Sequence, residues 1–216
     1  MKAMILAAGY GKRMLPLTEK LPKPLLHVKG KALIEHHLDN LAAAGFKEVV
    51  INHGHLGHMI EDTLGDGQNF GLSISYSPEG PVPLETGGGM TKALPLLGES
   101  PFLIVNADIF CDYDFTRIPT LDIDVDAHLV LVNTPDYKTC GDFSLRDGNV
   151  LEDESPTLTY SGIAIYHPRI LNGAKVERFS IIPRLRKAIE SGRVRGTFHR
   201  GHWSDVGTPE RLLQLQ

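Results

Sequence analysis

The sequence predicts an α/β fold, a mostly parallel central sheet with helices on both faces and a small β-rich lobe late in the chain. Three observations carry it. Apolar runs of strand length alternate with stretches whose apolar residues fall at helical spacing. The first such run, Met4 to Ala8, feeds straight into a loop with glycines at positions 9 and 11. With 216 residues, 42% hydrophobic and 22% charged, the chain can bury a large core and fits one domain over 1–216.

Taken in order, Met4 to Ala8 reads as a buried strand and Leu25 to Val28 as a second extended run closed by a Lys29-Gly30 turn. Leu33, Ile34, His37, Leu38, Leu41 and Ala44 recur at helical spacing, and Gly45 supplies the stop. Val49 to Ile51 is a short strand. Leu56, Met59, Ile60, Thr63 and Leu64 suggest a helix, which Gly65-Asp66-Gly67 breaks before the strand Leu72 to Tyr76. Thr86 and the glycines after it open a helix to Leu97, and Phe102 to Val105 is a buried strand. Ala127 to Val132 and Thr157 to Tyr166 read as strands, with a hairpin turning at Asp147-Gly148-Asn149 between them. Thr208 and Pro209 read as N-cap and first position of a terminal helix.

Composition excludes several classes of function. A net charge of −4 argues against a nucleic-acid-binding surface, where basic excess would be global. Nowhere do about 18 apolar residues run together, and no charged segment leads into an apolar stretch at the start, so neither membrane insertion nor export is expected. Cys111 and Cys140 fit no zinc or redox spacing, which favours reduced thiols and a cytoplasmic location. His53, His55 and His58 lack the partners for a tetrahedral metal set and read as a polar loop.

The chemistry concentrates where strands end. Gly9 and Gly11 leave backbone N–H groups free to approach a phosphate, and Lys12, Arg13, Lys20 and Lys23 follow them. That is a polyanion site in outline. It is neither of two common phosphate loops: Met14 stands where a dinucleotide loop needs a third glycine, and Leu6 and Arg13 stand where the Walker A pattern needs Gly and Ser or Thr. Further on, Thr86 to Gly89 would let a flat ligand lie against backbone at a helix start. Asp108 ends a central strand, a costly place for a carboxylate in a core and a useful one for Mg²⁺, which takes one or two hard oxygen ligands from protein. Asp112 and Asp114 read as a solvated face.

The spacing Leu6-Ala-Ala-Gly-x-Gly-x-Arg13-Met-x-Pro16-Leu-Thr18, followed by Pro22-Lys23-Pro24, resembles the signature of the sugar-1-phosphate nucleotidyltransferases. That family joins a nucleoside triphosphate to a sugar 1-phosphate and releases pyrophosphate. The resemblance implies a Rossmann-like nucleotidyltransferase fold, with Leu6, Ala8, Gly9, Gly11, Lys12, Arg13 and Lys23 at the nucleotide and Glu79 and Gly88 at its base. It also implies that Asp205, in Trp203-Ser-Asp-Val-Gly-Thr208, joins Asp108 in holding Mg²⁺. Asn106, Gly141, Glu154 and Gly162 would meet sugar hydroxyls. Arg13, Lys23 and Asp108 would be the catalytic residues. Many relatives carry Lys where Ser155 stands, so the sugar phosphate must lean on another cation.

The chain has no room for the left-handed β-helix of the longer relatives, so a stand-alone transferase is expected. Its short form resembles the branch that uses UTP; guanylyl and thymidylyl transfer are the alternatives in the same class. A catalytically silent nucleotide sensor is the alternative of another class, although it would have no need of Arg13, Lys23 and both carboxylates together. The implied partners are the triphosphate and a sugar 1-phosphate, with no nucleic acid and no membrane.

Overall fold

A computed structural model describes residues 1–216. Its first strand, β1 (Ala3–Leu6), lies between two neighbours in a nine-stranded sheet, which is why its first three residues are wholly buried. A short hairpin, β2 (His27–Val28) and β3 (Lys31–Ala32), then turns on Lys29 and Gly30, both at positive φ, the geometry two-residue hairpins favour. Helix α1 (Leu33–Ala43) buries Leu33, Ile34, His37, Leu38 and Leu41 on one face. The alternation continues through β4 (Glu48–His53), α2 (Gly57–Leu64), β5 (Ser73–Pro78), α3 (Glu85–Leu97) and β6 (Phe102–Asn106). Next come β7 (Ile109–Cys111), β8 (Ala127–Asn133), β9 (Ser144–Arg146), β10 (Asn149–Leu151) and β11 (Leu158–Tyr166). The chain closes with α4 (Ile182–Glu190), β12 (Val194–Phe198), β13 (Trp203–Asp205) and α5 (Pro209–Leu213).

The large sheet has the order β5-β4-β1-β6-β11-β8-β12-β10-β9. Strands β5, β4, β1 and β6 pair in parallel, and β8 and β12 run the same way. Only β11 and β10 are reversed, so the sheet is mostly parallel in direction. The β-rich half extends this same sheet. Strands β7 and β13 pair separately, antiparallel.

Alternation along β1 sends successive side chains to opposite faces. Ile5 joins Leu38 of α1 and Ile60 of α2 in one cluster, while Met4 joins Met90 of α3 and Leu185 of α4 in another. Helices therefore cover both faces, as expected. A third cluster packs Met14 against Leu33, Val206 and Leu212, and so seats the glycine loop on the far end of the chain. No helix is long and apolar enough to cross a membrane.

Some boundaries differ from the sequence reading. The first strand stops at Leu6, because Ala7 gives its N–H to the Asn52 side chain and Ala8 turns away from the sheet. Helix α3 begins at Glu85 rather than Thr86, with Leu84 at its N-cap. Strand β12 and helix α4 fill stretches to which periodicity had assigned nothing.

Within α1, His37 is 2% exposed and its Nε2 has no hydrogen-bond partner, so burial lowers its pKa to about 4. An imidazole in the unfolded chain titrates near 6.5. Between these values the unfolded chain binds the extra proton, so stability falls as pH drops from about 6.5 to about 4, by roughly 3 kcal/mol if His37 alone is responsible. Urea midpoints measured across this range should show the loss in the wild type, and His37→Leu should reduce it, the remainder falling to His128, whose pKa burial also lowers to about 4.

Candidate functional site

Parallel pairing builds the site. Leu6 at the end of β1 stands opposite Asn52 of β4 on one side and Asn106 of β6 on the other. The loops that leave these three strands open together at one edge, the place where ligands collect in such sheets. They surround a cleft of about 700 Å³ whose lining includes Leu6, Ala8, Gly9, Gly11, Lys12, Arg13, Lys23, Glu79, Asn106 and Asp108.

The rim is held by a chain of buried hydrogen bonds. Ala7 N–H donates to Asn52 Oδ1 (2.9 Å), Asn52 Nδ2 donates to Glu79 Oε1 (2.6 Å), and Leu84 N–H donates to Glu79 Oε2 (2.6 Å). With Asn52 at 2% and Glu79 at 8% exposure, these groups would each cost a few kcal/mol if left unpaired. The network thus fixes the 79–84 loop against the glycine turn. Asn52 is a site residue that sequence reasoning missed; a polar residue closing an apolar strand was its only signal.

In the turn, Gly11 adopts φ +62°, and a Cβ there would lie 2.9 Å from Thr18 Cγ2. Thr18 Oγ1 donates to the Gly11 carbonyl (2.9 Å) and locks the bend. Gly9 differs: a Cβ on it would meet nothing within 4 Å. Its missing side chain leaves open space in the cleft, and nothing in the fold requires it.

Charges on the lining are unequally matched. Lys23, 9% exposed, is ion-paired to Asp108 Oδ2, and Arg178 Nε pairs with Glu85 Oε1 at 2.9 Å. Arg13 and Lys12 have no carboxylate partner; Lys12 Nζ lies 5.5 Å from the centre of the Tyr10 ring. Two free cations therefore sit on the glycine turn, where backbone can approach a polyanion. Arg178, which joins the lining from beyond β11, gave no sequence signal.

The chain ends bring the second carboxylate close. In the β7–β13 ladder Asp205 stands opposite Ile109, and Val206 N–H donates to the Asp108 carbonyl (2.7 Å). Asp205 does not itself line the cleft; Gly207 does, and a Cβ on Gly207 would lie 2.8 Å from Asp205 Oδ2. Arg211 Nη1 pairs with Asp205 Oδ1 at 2.5 Å. As a donor set this suits Mg²⁺, which asks for one or two carboxylates and fills its other positions from water and phosphates. Each carboxylate is matched by a protein cation, and nowhere do three or more His, Cys, Asp or Glu residues gather into a set for another type of centre.

Other expected site residues lie elsewhere. Gly88 is turned from the cleft: a Cβ would lie 2.1 Å from the Glu177 carbonyl, and the N–H groups of Gly87 and Gly88 both donate to the Phe179 carbonyl. Gly87 and Gly88 thus admit a backbone segment, while Thr86 of the same stretch lines the cleft. Gly162 sits at the bulge in β11 with φ +87°, where a Cβ would lie 2.8 Å from Asn106 Nδ2. It shapes the ground beneath the Asn106 amide. Gly141 lines a second cavity with Asp142 and Arg186, and Glu154 is exposed on the loop before β11. Neither reaches the main cleft. Ser155 donates its N–H to Asp153 Oδ1 (3.2 Å) and brings no cation. His53 Nε2 is bonded to Glu61 Oε1 (2.6 Å), a structural pair, and burial pushes the Cys111 thiol up to about 11.

Residues 2–139 match the nucleotidyl transferase family. The chain is 49% identical to the N-acetylmuramate alpha-1-phosphate uridylyltransferase of Neisseria meningitidis, over 100% of this chain and 97% of that one. The enzyme of the same name from Caulobacter vibrioides is 37% identical over 99% and 95%. A mannose-1-phosphate guanyltransferase of Yarrowia lipolytica is 30% identical, and the match covers only 62% of its length. Among solved structures, HddC from Yersinia pseudotuberculosis complexed with GMP-PN superposes with a TM-score of 0.81 at 21% identity, over 99% of this chain and 97% of that one. That likeness concerns the fold.

The two glycines of the turn should separate on substitution. Gly9→Ala should leave the unfolding free energy from urea titration within about 0.5 kcal/mol of wild type yet weaken binding of inorganic tripolyphosphate, read by calorimetry. Gly11→Ala should lose roughly 1 kcal/mol or more of stability, because alanine is strained at that φ.

Proposed function

Since the chain belongs to the nucleotidyl transferase family, we propose that it transfers a uridylyl group from UTP to N-acetylmuramic acid 1-phosphate. The products are UDP-N-acetylmuramic acid and pyrophosphate, and a role in bacterial cell-wall recycling belongs to the same proposal. One observation carries the reaction type: the unpaired Arg13 and Lys12 face the same cleft as the Lys23–Asp108 pair. The choice of base and sugar rests on the full-length likeness to the uridylyltransferases, against partial coverage of the guanyltransferase.

An oxygen of the sugar 1-phosphate attacks the α-phosphorus of UTP in line. The bond from that phosphorus to the bridging oxygen breaks, and pyrophosphate leaves with the electron pair, so no protein nucleophile is needed. What the protein supplies is position and charge. Arg13, with Lys12 beside it, neutralises the departing pyrophosphate, and Lys23 holds the α-phosphate and the attacking phosphate. Lys23 also stands in for the charge that the family lysine would bring at Ser155. Asp108 and Asp205 would hold Mg²⁺, which when bound neutralises charge across the phosphates.

The other residues orient the substrates. Leu6, Ala8, Gly9 and Gly11 form the floor on which the nucleotide lies close to backbone. Glu79, fixed by Asn52 and the Leu84 N–H, frames the base, while Gly88 acts through its packing on the 177–179 backbone. Asn106 offers its amide to the sugar from above Gly162.

Pyrophosphate release over a matrix of UTP, GTP and dTTP with the 1-phosphates of N-acetylmuramic acid, mannose and glucose tests the proposal. UTP with N-acetylmuramic acid 1-phosphate should lead by roughly 100-fold in kcat/KM, and EDTA should abolish the rate. GTP with mannose 1-phosphate in the lead would replace the substrate assignment. Silence from every pair while UTP still binds would make the protein a sensor. Within the active pair, Arg13→Ala or Asp108→Ala should lower kcat by about 10² or more with unchanged far-ultraviolet circular dichroism. Turnover near wild type in either variant removes that residue's role.

A further inference from the structure

The Asp205 carboxylate is gripped on one side only. Both of its protein donors, the Tyr137 hydroxyl and Arg211 Nη1, approach Oδ1. Oδ2 accepts no hydrogen bond from the protein and lies on the side of Gly207, the residue of this segment that lines the cleft with Asp108. A Cβ at Gly207 would crowd Oδ2 at 2.8 Å and Arg211 Nη2 at 2.1 Å. The grip is itself braced. The Arg211 guanidinium lies 4.2 Å from the centre of the Tyr137 ring, and Arg211 is seated by its N–H on the Thr208 hydroxyl that caps α5.

We propose that Tyr137 and Arg211 are positioning residues that hold Asp205 through Oδ1 and leave Oδ2 free on the Gly207 side, so that the loop between β8 and β9 sets how tightly the site takes a divalent ion. The proposal rests on the nucleotidyl-transfer reading, in which Asp205 and Asp108 share that ion. A carboxylate with both oxygens free to rotate must be ordered when the metal arrives, whereas one already hydrogen-bonded through a single oxygen is ordered beforehand; partners of this kind are worth about 10–100-fold in metal affinity.

Two features of Tyr137 favour a positioning role over a packing one. It is 56% exposed, so its ring is not needed to fill a core. Its hydroxyl also crosses 68 positions of sequence to reach Asp205. The same loop carries Lys138, paired with Asp142 at 2.6 Å, and Gly141, whose N–H is held by the Pro156 carbonyl.

The test uses the full chain with UTP present and Mn²⁺ as probe, its free concentration read by electron paramagnetic resonance. Tyr137→Phe and Arg211→Met should each weaken Mn²⁺ binding about tenfold to a hundredfold, and Arg211→Lys should recover part of the loss. Tyr137→Phe should keep the wild-type melting temperature in EDTA and the wild-type affinity for UTP without metal. If Arg211→Met does not fold, Tyr137→Phe decides alone. Wild-type Mn²⁺ affinity in Tyr137→Phe, while Asp205→Asn loses the ion, overturns the positioning role and leaves the transfer reaction standing. Wild-type affinity in Asp205→Asn overturns the metal assignment and the positioning role together.

Discussion

The site depends on β1 being hydrogen-bonded in parallel on both sides. With Leu6 opposite both Asn52 and Asn106, three chain segments leave the sheet at the same level and in the same direction. Their loops have to share one rim, because parallel neighbours place their carboxyl ends together. The glycine turn, the Glu79 loop and the Asp108 loop are three exits from one row. A slip of β1 by one residue would turn Met4 and Ile5 to the wrong faces, and two apolar clusters that share no residue make such a slip costly.

That row also explains how charge is distributed. A carboxylate left alone at the mouth of a half-buried cleft is expensive, and the fold pairs each one: Asp108 with Lys23, Asp205 with Arg211, Glu85 with Arg178. Glu79 is held instead by neutral donors. The cations left over, Lys12 and Arg13, are exposed on the glycine turn and line the cleft.

Much of this was legible locally. The alternation through the first hundred residues, the Lys29-Gly30 and Asp147-Gly148 turns and the Thr208 cap all rest on neighbours within a few positions, and each is present, with some element ends shifted by a residue or two. Helix α4 went unread, although Ile181, Leu185, Ala188 and Ile189 repeat at helical spacing and are buried. The β7–β13 ladder was not legible. Its strands are three residues each, too short for period-2 alternation to be distinguished from a loop, and they are defined only by each other. Glycine was the most ambiguous letter: Gly9 leaves space, Gly11 and Gly162 take positive φ, and Gly88 admits a carbonyl.

By itself the sequence determined the α/β class, the strand that ends in a glycine turn, the family of the chain and the carboxylates and cations at issue, because hydrophobic period, turn chemistry and motif spacing are properties of neighbouring residues. Only the tertiary structure decided which of those charges are already paired, that Asn52 ties the turn to Glu79, and that Tyr137 and Arg211 grip a single oxygen of Asp205. Such pairings join side chains from segments tens of residues apart. They exist only once the sheet has brought its strand ends into one row, and no pattern of neighbours along the chain encodes which distant group will be opposite.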